Sequence, residues 1–216
     1  MSLQMMLLQL GEGMLVSVEI FLLTLIVSLP LGLVIAFGRM SKNPVLCWIT
    51  KVYISIMRGT PLMLQLLVVY FAPFYLFHIQ IGGGYRFVAV IIAFSINYAA
   101  YFAEIYRSGI ESIPVGQYEA AKVLGYNKGQ TFFYIIFPQV VKRVLPSITN
   151  EIITLVKDTS LSFVLAIPEM FTVAKQIAAA QASITALLVA GVFYYIFNMI
   201  VALLMEAIEE ELDYYD

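Results

Sequence analysis

Residues 107–143 read RSGIESIPVGQYEAAKVLGYNKGQTFFYIIFPQVVKR, and this stretch does not belong in a lipid core. It carries Arg107, Glu111, Glu119, Lys122, Lys128, Lys142 and Arg143, with turn signals at Ser112-Ile113-Pro114 and Gly125. The chain on either side is different. Of 216 residues, 62% are hydrophobic and 12% charged, where a soluble domain carries about 25% charged residues. Mean hydropathy is +0.91. So much apolar surface calls for a bilayer as its solvent.

A helix needs about 20 mostly apolar residues to cross the hydrocarbon core. Working outward from the loop, five stretches qualify: Met14–Gly38, Pro61–Phe77, Phe87–Ala103, Val144–Ile167 and Ser183–Met205. The second is open to an earlier start through Val52–Met57, and Lys157-Asp158 interrupts the fourth. Met1–Leu10 is apolar but too short to cross, and is expected to lie in the interface. Residues 167–182 read as a short amphipathic helix after Pro168. No Lys or Arg precedes the first apolar stretch, so no cleavable signal peptide is expected.

Basic residues set the orientation. Arg39, Lys42, Lys51 and Arg58 lie on one side of the first two spans, and Arg107, Lys122, Lys128, Lys142 and Arg143 lie in the loop. Together these are nine of the twelve Lys and Arg residues, and five spans put them on one side of the membrane. That side is expected to be cytoplasmic. The N-terminus and the 78–86 loop are then outside, and the acidic tail Glu206–Asp216 is inside. The expected fold is an all-α membrane protein of five transmembrane helices with its N-terminus outside. It forms one transmembrane domain, residues 1–216, with a cytoplasmic loop at about 107–142.

Within the loop, Ser112-Ile113-Pro114 suits a helix start and Gly125 a helix stop, which leaves a short helical run over Gln117–Leu124. Ala120 and Ala121 would let another surface come close. By physics alone this reads first as an ordinary amphipathic connector. The spacing adds more. Glu119-Ala120-Ala121-x-x-x-Gly125, then nine residues, then Ile135-x-Phe137-Pro138, resembles the EAA loop of ABC importer permeases. Phe137 departs from the Leu usual before that proline. Arg58-Gly59-Thr60-Pro61-Leu62, Tyr101–Ile110 with Ser112–Gln117, and Lys157-Asp158-Thr159-Ser160-Leu161 resemble the polar amino acid branch of that family, of the arginine and histidine type.

The resemblance implies a type I (MetI-like) fold in a bacterial inner membrane and work as a pair of permeases, here expected as a homodimer. It further implies two copies of an ATP-binding cassette ATPase and an extracytoplasmic amino acid-binding protein. In such a system Gln117, Glu119, Ala120, Ala121 and Gly125 form the helix that docks the ATPase. ATP and Mg belong to that partner, and no cofactor is expected on this chain. Consistently, no Gly-rich loop ending in Gly-Lys-Ser/Thr occurs here.

Ionisable groups inside spans are costly and mark function by default. Glu151 reads as a carboxylate facing a cationic substrate group, or as a structural partner of Arg58 or Lys157. Asp158, Thr159 and Ser160 read as ligand contacts or as caps of a helix break. Arg58 and Thr60 sit at a Gly-x-Pro discontinuity, where free N–H groups and a guanidinium favour a carboxylate; the alternative is an Arg58 that snorkels to the surface. Asn97, Tyr101 and Glu104 share one helix face, with Glu104 near the cytoplasmic end and open to a structural role. These nine residues are the expected substrate contacts; Tyr98 is only a further polar residue of the third span.

Several classes are excluded or weakened. Net charge −2 gives no sign of a nucleic acid partner. The single Cys47 excludes an internal disulfide or CxxC site. Neither His-Glu-x-x-His nor Gly-x-Ser-x-Gly occurs, so an intramembrane hydrolase has no support. A channel or ion-driven carrier would explain the spans and buried charges but not the loop spacing.

Overall fold

The computed structural model describes residues 2–212, and every regular element among them is helical. In chain order these are α1 (Leu3–Arg39), α2 (Pro44–Gly59), α3 (Leu62–Phe77), α4 (Tyr85–Glu111), α5 (Val115–Val123), α6 (Lys128–Gln130), α7 (Phe137–Asp158), α8 (Met170–Gln181) and α9 (Thr185–Leu212). A π-helical stretch, Thr131–Ile136, joins α6 to α7, and a 3-10 helix, Thr159–Leu165, follows α7.

Among the described residues, three helices (α1, α4 and α9) are each long and apolar enough to cross a bilayer. Two bent pairs complete a count of five if each is one span: α2 with α3, bent by 113°, and Lys128–Leu165 with α8, bent by 58°. The α2–α3 bend falls at the Gly-x-Pro discontinuity expected at residues 58–61. Its cause is local. Thr60, which precedes Pro61, is extended at φ −124° and ψ 150°, as the proline ring demands of its neighbour. Pro61 then supplies no N–H to continue the ladder.

The expectation for Met1–Leu10 is corrected. From Leu3 onward this piece is the start of α1 and not a separate interfacial element; Met1 lies outside the described residues. Ser2 caps it, accepting from the Met5 N–H at 3.3 Å. Met6 and Leu10 are buried against Met170, Ala174 and Ile177 of α8 and Ala186 and Ala190 of α9. That packing carries the helix through Gly11 and Gly13, whose propensity cost is only about 1 kcal/mol each. Gly13 has a further reason to be glycine, since a Cβ there would stand 2.8 Å from Met170 Cα.

α4 is the centre of the bundle. Val90, Phe94, Tyr98 and Phe102 are buried in the main core with Ile20 and Phe21 of α1, Leu66 of α3, and Leu155 and Val156 of α7. Small residues bring α1 and α4 together: a Cβ on Gly32 would lie 2.8 Å from Phe102 Cβ and 3.1 Å from the Ala99 carbonyl oxygen. Such small-residue crossings suit helices packed within lipid. α9 leaves Leu188, Val192, Ile200, Leu203 and Leu204 exposed, an apolar face of the kind lipid covers. It extends past the expected Met205 end to Leu212, so part of the acidic tail is helical; Asp213–Asp216 lie outside the described residues.

Candidate functional site

The short helix expected over Gln117–Leu124 is present as α5, Val115–Val123. Pro114 stands as its N-cap residue at ψ 139°, just before the first helical residue. Gly125 ends it in the left-handed region at φ +81°. The Gly125 N–H donates to the Lys122 carbonyl and the Tyr126 N–H to the Ala121 carbonyl, both at 3.1 Å. A Cβ at that φ would be strained, so glycine is the fitting stop. Ala121 packs inward while Gln117, Glu119 and Ala120 face out. Val123 and Leu124 are 87% and 73% exposed, apolar side chains in a position that suits a partner surface.

A second site lies between α4, α7 and the α2–α3 break. Arg58, Tyr101, Glu104, Ser108, Arg143 and Glu151 line a polar cleft of about 340 Å³. The Arg58 guanidinium stacks over the Tyr101 ring at 5.3 Å from its centroid, which turns the charge into the cleft. Glu104 is engaged by Arg107, whose Nε donates to it at 3.1 Å and whose Nη2 forms an ion pair with it; Arg107 also pairs with Glu111. Glu151 is half-buried on α7.

The remaining expected contacts divide. Asn97 is 4% exposed. Its amide donates to the Met57 carbonyl at 3.0 Å and to Gln65 Oε1 at 2.9 Å. Gln65 in turn donates to Met57 O, Thr60 O and Thr60 Oγ1 at 2.8–3.2 Å. These amides satisfy carbonyls that the broken helix leaves open. Asn97 and Thr60 thus hold the α2–α3 bend in this conformation.

Asp158 closes α7 and accepts from the Tyr98 hydroxyl at 2.7 Å. It lies seven residues beyond Glu151, which on a helix is the same face about 10.5 Å along the axis. Thr159 is fully buried and donates to the Val156 carbonyl, and Ser160 donates to the Lys157 carbonyl, at 2.8 and 2.7 Å. Both hydroxyls cap the change from α- to 3-10 helix.

Two contributors escaped the sequence reading, Gln65 and Glu169, while Tyr98, noted there only as a polar residue of the third span, turns out to hold Asp158. Glu169 is fully buried. It accepts from the N–H groups of Phe171 and Thr172 at 2.7 Å, the Thr172 hydroxyl at 2.8 Å and the Tyr194 hydroxyl at 2.9 Å. Glu169 caps α8 from the N-cap position, a place where Ser, Thr, Asp or Asn is the usual signal, so the sequence does not announce it. Among the described residues, no group of three His, Cys, Asp or Glu gathers as a metal site.

A family model described as binding-protein-dependent transport system inner membrane component matches residues 28–214. The chain belongs to that family. It is 37% identical over 202 residues to the arginine transport system permease protein ArtQ of Bacillus subtilis, covering 93% of this chain and 91% of that protein. To the L-cystine transport system permease protein TcyB of the same organism it is 35% identical over 208 residues, covering 95% and 87%. A Rickettsia typhi protein named for glutamine transport, GlnP, is 33% identical over 202 residues, covering 93% and 91%. Among solved structures, an amino acid ABC transporter crystallised with histidines matches at TM-score 0.84 and 28% identity, covering 94% of each chain. The inward-facing MetNI methionine ABC transporter matches at 0.75 and 18% identity, covering 98% and 99%, and speaks for the fold alone. The resemblance to ABC importer permeases read from residues 58–161 is borne out.

Proposed function

We propose that this chain is the transmembrane permease subunit of an ATP-driven amino acid importer, with arginine, lysine or histidine as its preferred cargo. One observation carries the substrate reading: Glu151 shares a polar cleft with Arg58, and Asp158 follows on the same face of α7. Every α-amino acid brings a carboxylate and an ammonium, and a basic one brings a second cation. Arg58 suits the carboxylate, and the two acids suit two cations. A neutral cargo would leave one acid unmatched in apolar surroundings, at a cost. A glutamine, glutamate or other polar cargo is the alternative, favoured by the relatives named for glutamine and cystine transport.

In this reading the five crossings are α1, α4, α9 and the two bent pairs, with the N-terminus outside. Two copies of the chain enclose one pathway in the bacterial inner membrane. An extracytoplasmic binding protein delivers the amino acid. Two ATPase subunits seat the α5 helices, and ATP and Mg stay with them. ATP binding closes the ATPases, pushes α5 and opens the pathway outward, and hydrolysis resets it. An ion-driven carrier would use the same charges but has no need of α5 and its Gly125 stop.

The test is stimulation of ATP hydrolysis by a panel of amino acids, using the reconstituted complex and its Glu151→Gln variant. Losing one charge-assisted hydrogen bond of about 1.5–3 kcal/mol should raise the half-stimulating concentration of a basic amino acid about 10–150-fold, and that of a neutral one much less. Equal loss for both would make Glu151 structural and remove the basis for a basic cargo.

A further inference from the structure

The coupling segment and the cleft share a wall. Ser112 is the C-cap residue of α4 and opens the chain that leads into α5. Arg143 stands on α7, eight residues before Glu151. Its Nη1 donates to the Ser112 carbonyl at 2.6 Å and to Ser112 Oγ at 3.1 Å. The Ser112 hydroxyl donates onward to the Gly109 carbonyl at 2.7 Å. Beside this clasp the two helices touch, and a Cβ on Gly109 would stand 2.1 Å from Val144 Cγ1. Ile110, Ile113, Ile136, Val140 and Val144 close the contact with an apolar cluster. The entry to α5 is therefore fixed to α7 by a polar clasp and an apolar crossing at adjacent α7 residues.

We infer that Arg143 is a positioning residue that transmits displacement of α5 to α7, and through α7 to Glu151 and Asp158. The inference rests on α5 being the ATPase-docking helix. The last carbonyls of α4 have no partner within the helix, and a cation is favoured at that end. A guanidinium held there makes the end of α4 and the start of the lever move with α7. The apolar crossing alone can slide, since it has no directional bond. Removing the clasp leaves the helices packed and loosens the transmission. Gln139 adds a second tie, its Nε2 donating to Gln117 Oε1 at 3.3 Å.

The experiment uses the permease assembled with its ATPase and binding protein in proteoliposomes. It reads the ratio of amino acid-stimulated to unstimulated ATP hydrolysis, the amino acid moved per ATP, and the half-stimulating concentration. Arg143→Ala should lower the ratio and the yield per ATP about tenfold, within the usual span of a coupling free energy. Arg143 lines the cleft but its Nη1 is engaged by Ser112, so the half-stimulating concentration should rise by less than the ratio falls. Arg143→Lys, which keeps a donor and the charge, should recover much of the ratio. If Arg143→Ala does not assemble, Arg143→Lys and Arg143→Gln carry the test, with Lys expected above Gln. A parental ratio in the alanine variant, or in both substitutes, overturns the inference. So does a half-stimulating concentration that rises in step with the lost ratio, because Arg143 would then be a substrate contact. A parental complex that no amino acid stimulates would fail the functional reading itself, not this link.

Discussion

Glu169→Ala removes the buried carboxylate that fastens the start of α8 to α9. Four donors converge on it at 2.7–2.9 Å: two backbone N–H groups, the Thr172 hydroxyl and the Tyr194 hydroxyl. The Ser17 hydroxyl of α1 adds a longer contact to the carboxylate at 3.4 Å and accepts the Met170 N–H at 3.3 Å. Each hydrogen bond to a carboxylate is worth about 1.5–3 kcal/mol, but Phe171 and Thr172 are only half-buried and water would reach them in part. The net loss is therefore roughly 3–5 kcal/mol, the cost of leaving several half-buried donors without their acceptor. For a chain of this size that is a fall in melting temperature of about 6–20 °C. Glu169→Gln keeps the shape but sets an NH2 group against donors on one side, so it should cost about half as much, roughly 1.5–3 kcal/mol. Tyr194→Phe removes one donor while the others remain, and should cost about 1.5 kcal/mol, the low end of that range. The assay is thermal stability in detergent, followed by monodispersity on size exclusion. The order Ala worst, Gln next and Tyr194→Phe mildest is the expected result. An alanine variant as stable as the parent would refute the view that this network holds α8 in place.

Two further outcomes follow from geometry. Gly13→Ala puts a Cβ 2.8 Å from Met170 Cα and 3.0 Å from its nitrogen; backbone cannot step aside as a side chain can, so a loss of about 1–3 kcal/mol is expected in the same thermal assay. Gly11→Ala meets nothing within 4 Å and should be neutral or gain up to about 1 kcal/mol. Glu119→Ala should weaken ATPase docking about 10–150-fold if its carboxylate makes one charge-assisted bond there, read as lost amino acid stimulation with the spans intact. Full coupling in that variant would contradict the docking role of α5.

The long apolar helices were legible because lipid imposes a simple rule of length and hydropathy, and α4 and α9 obey it. The loop was legible because Pro114 and Gly125 act through local backbone geometry. What the sequence hid was mostly non-local. The Asn97 amide reads as a pathway group by its place on a helix face, yet it serves carbonyls freed forty residues earlier by Pro61. Thr159 and Ser160 have hydroxyls suited to a ligand or to a backbone, and only the fold decides that the backbone takes them. Met6 and Leu10 belong to α1 because of α8 and α9, which come more than 150 residues later. The Tyr98–Asp158 and Glu169–Tyr194 pairs join different helices, and nothing in the local sequence announces them.

The central claim is that ATP drives an amino acid across the membrane through this chain. Its most direct measurement is uptake of labelled arginine by proteoliposomes holding the permease with its ATPase and binding protein, with ATP present or absent. The account predicts accumulation only with ATP, lost when Glu119 is replaced by Ala. Uptake that proceeds equally without ATP would contradict it.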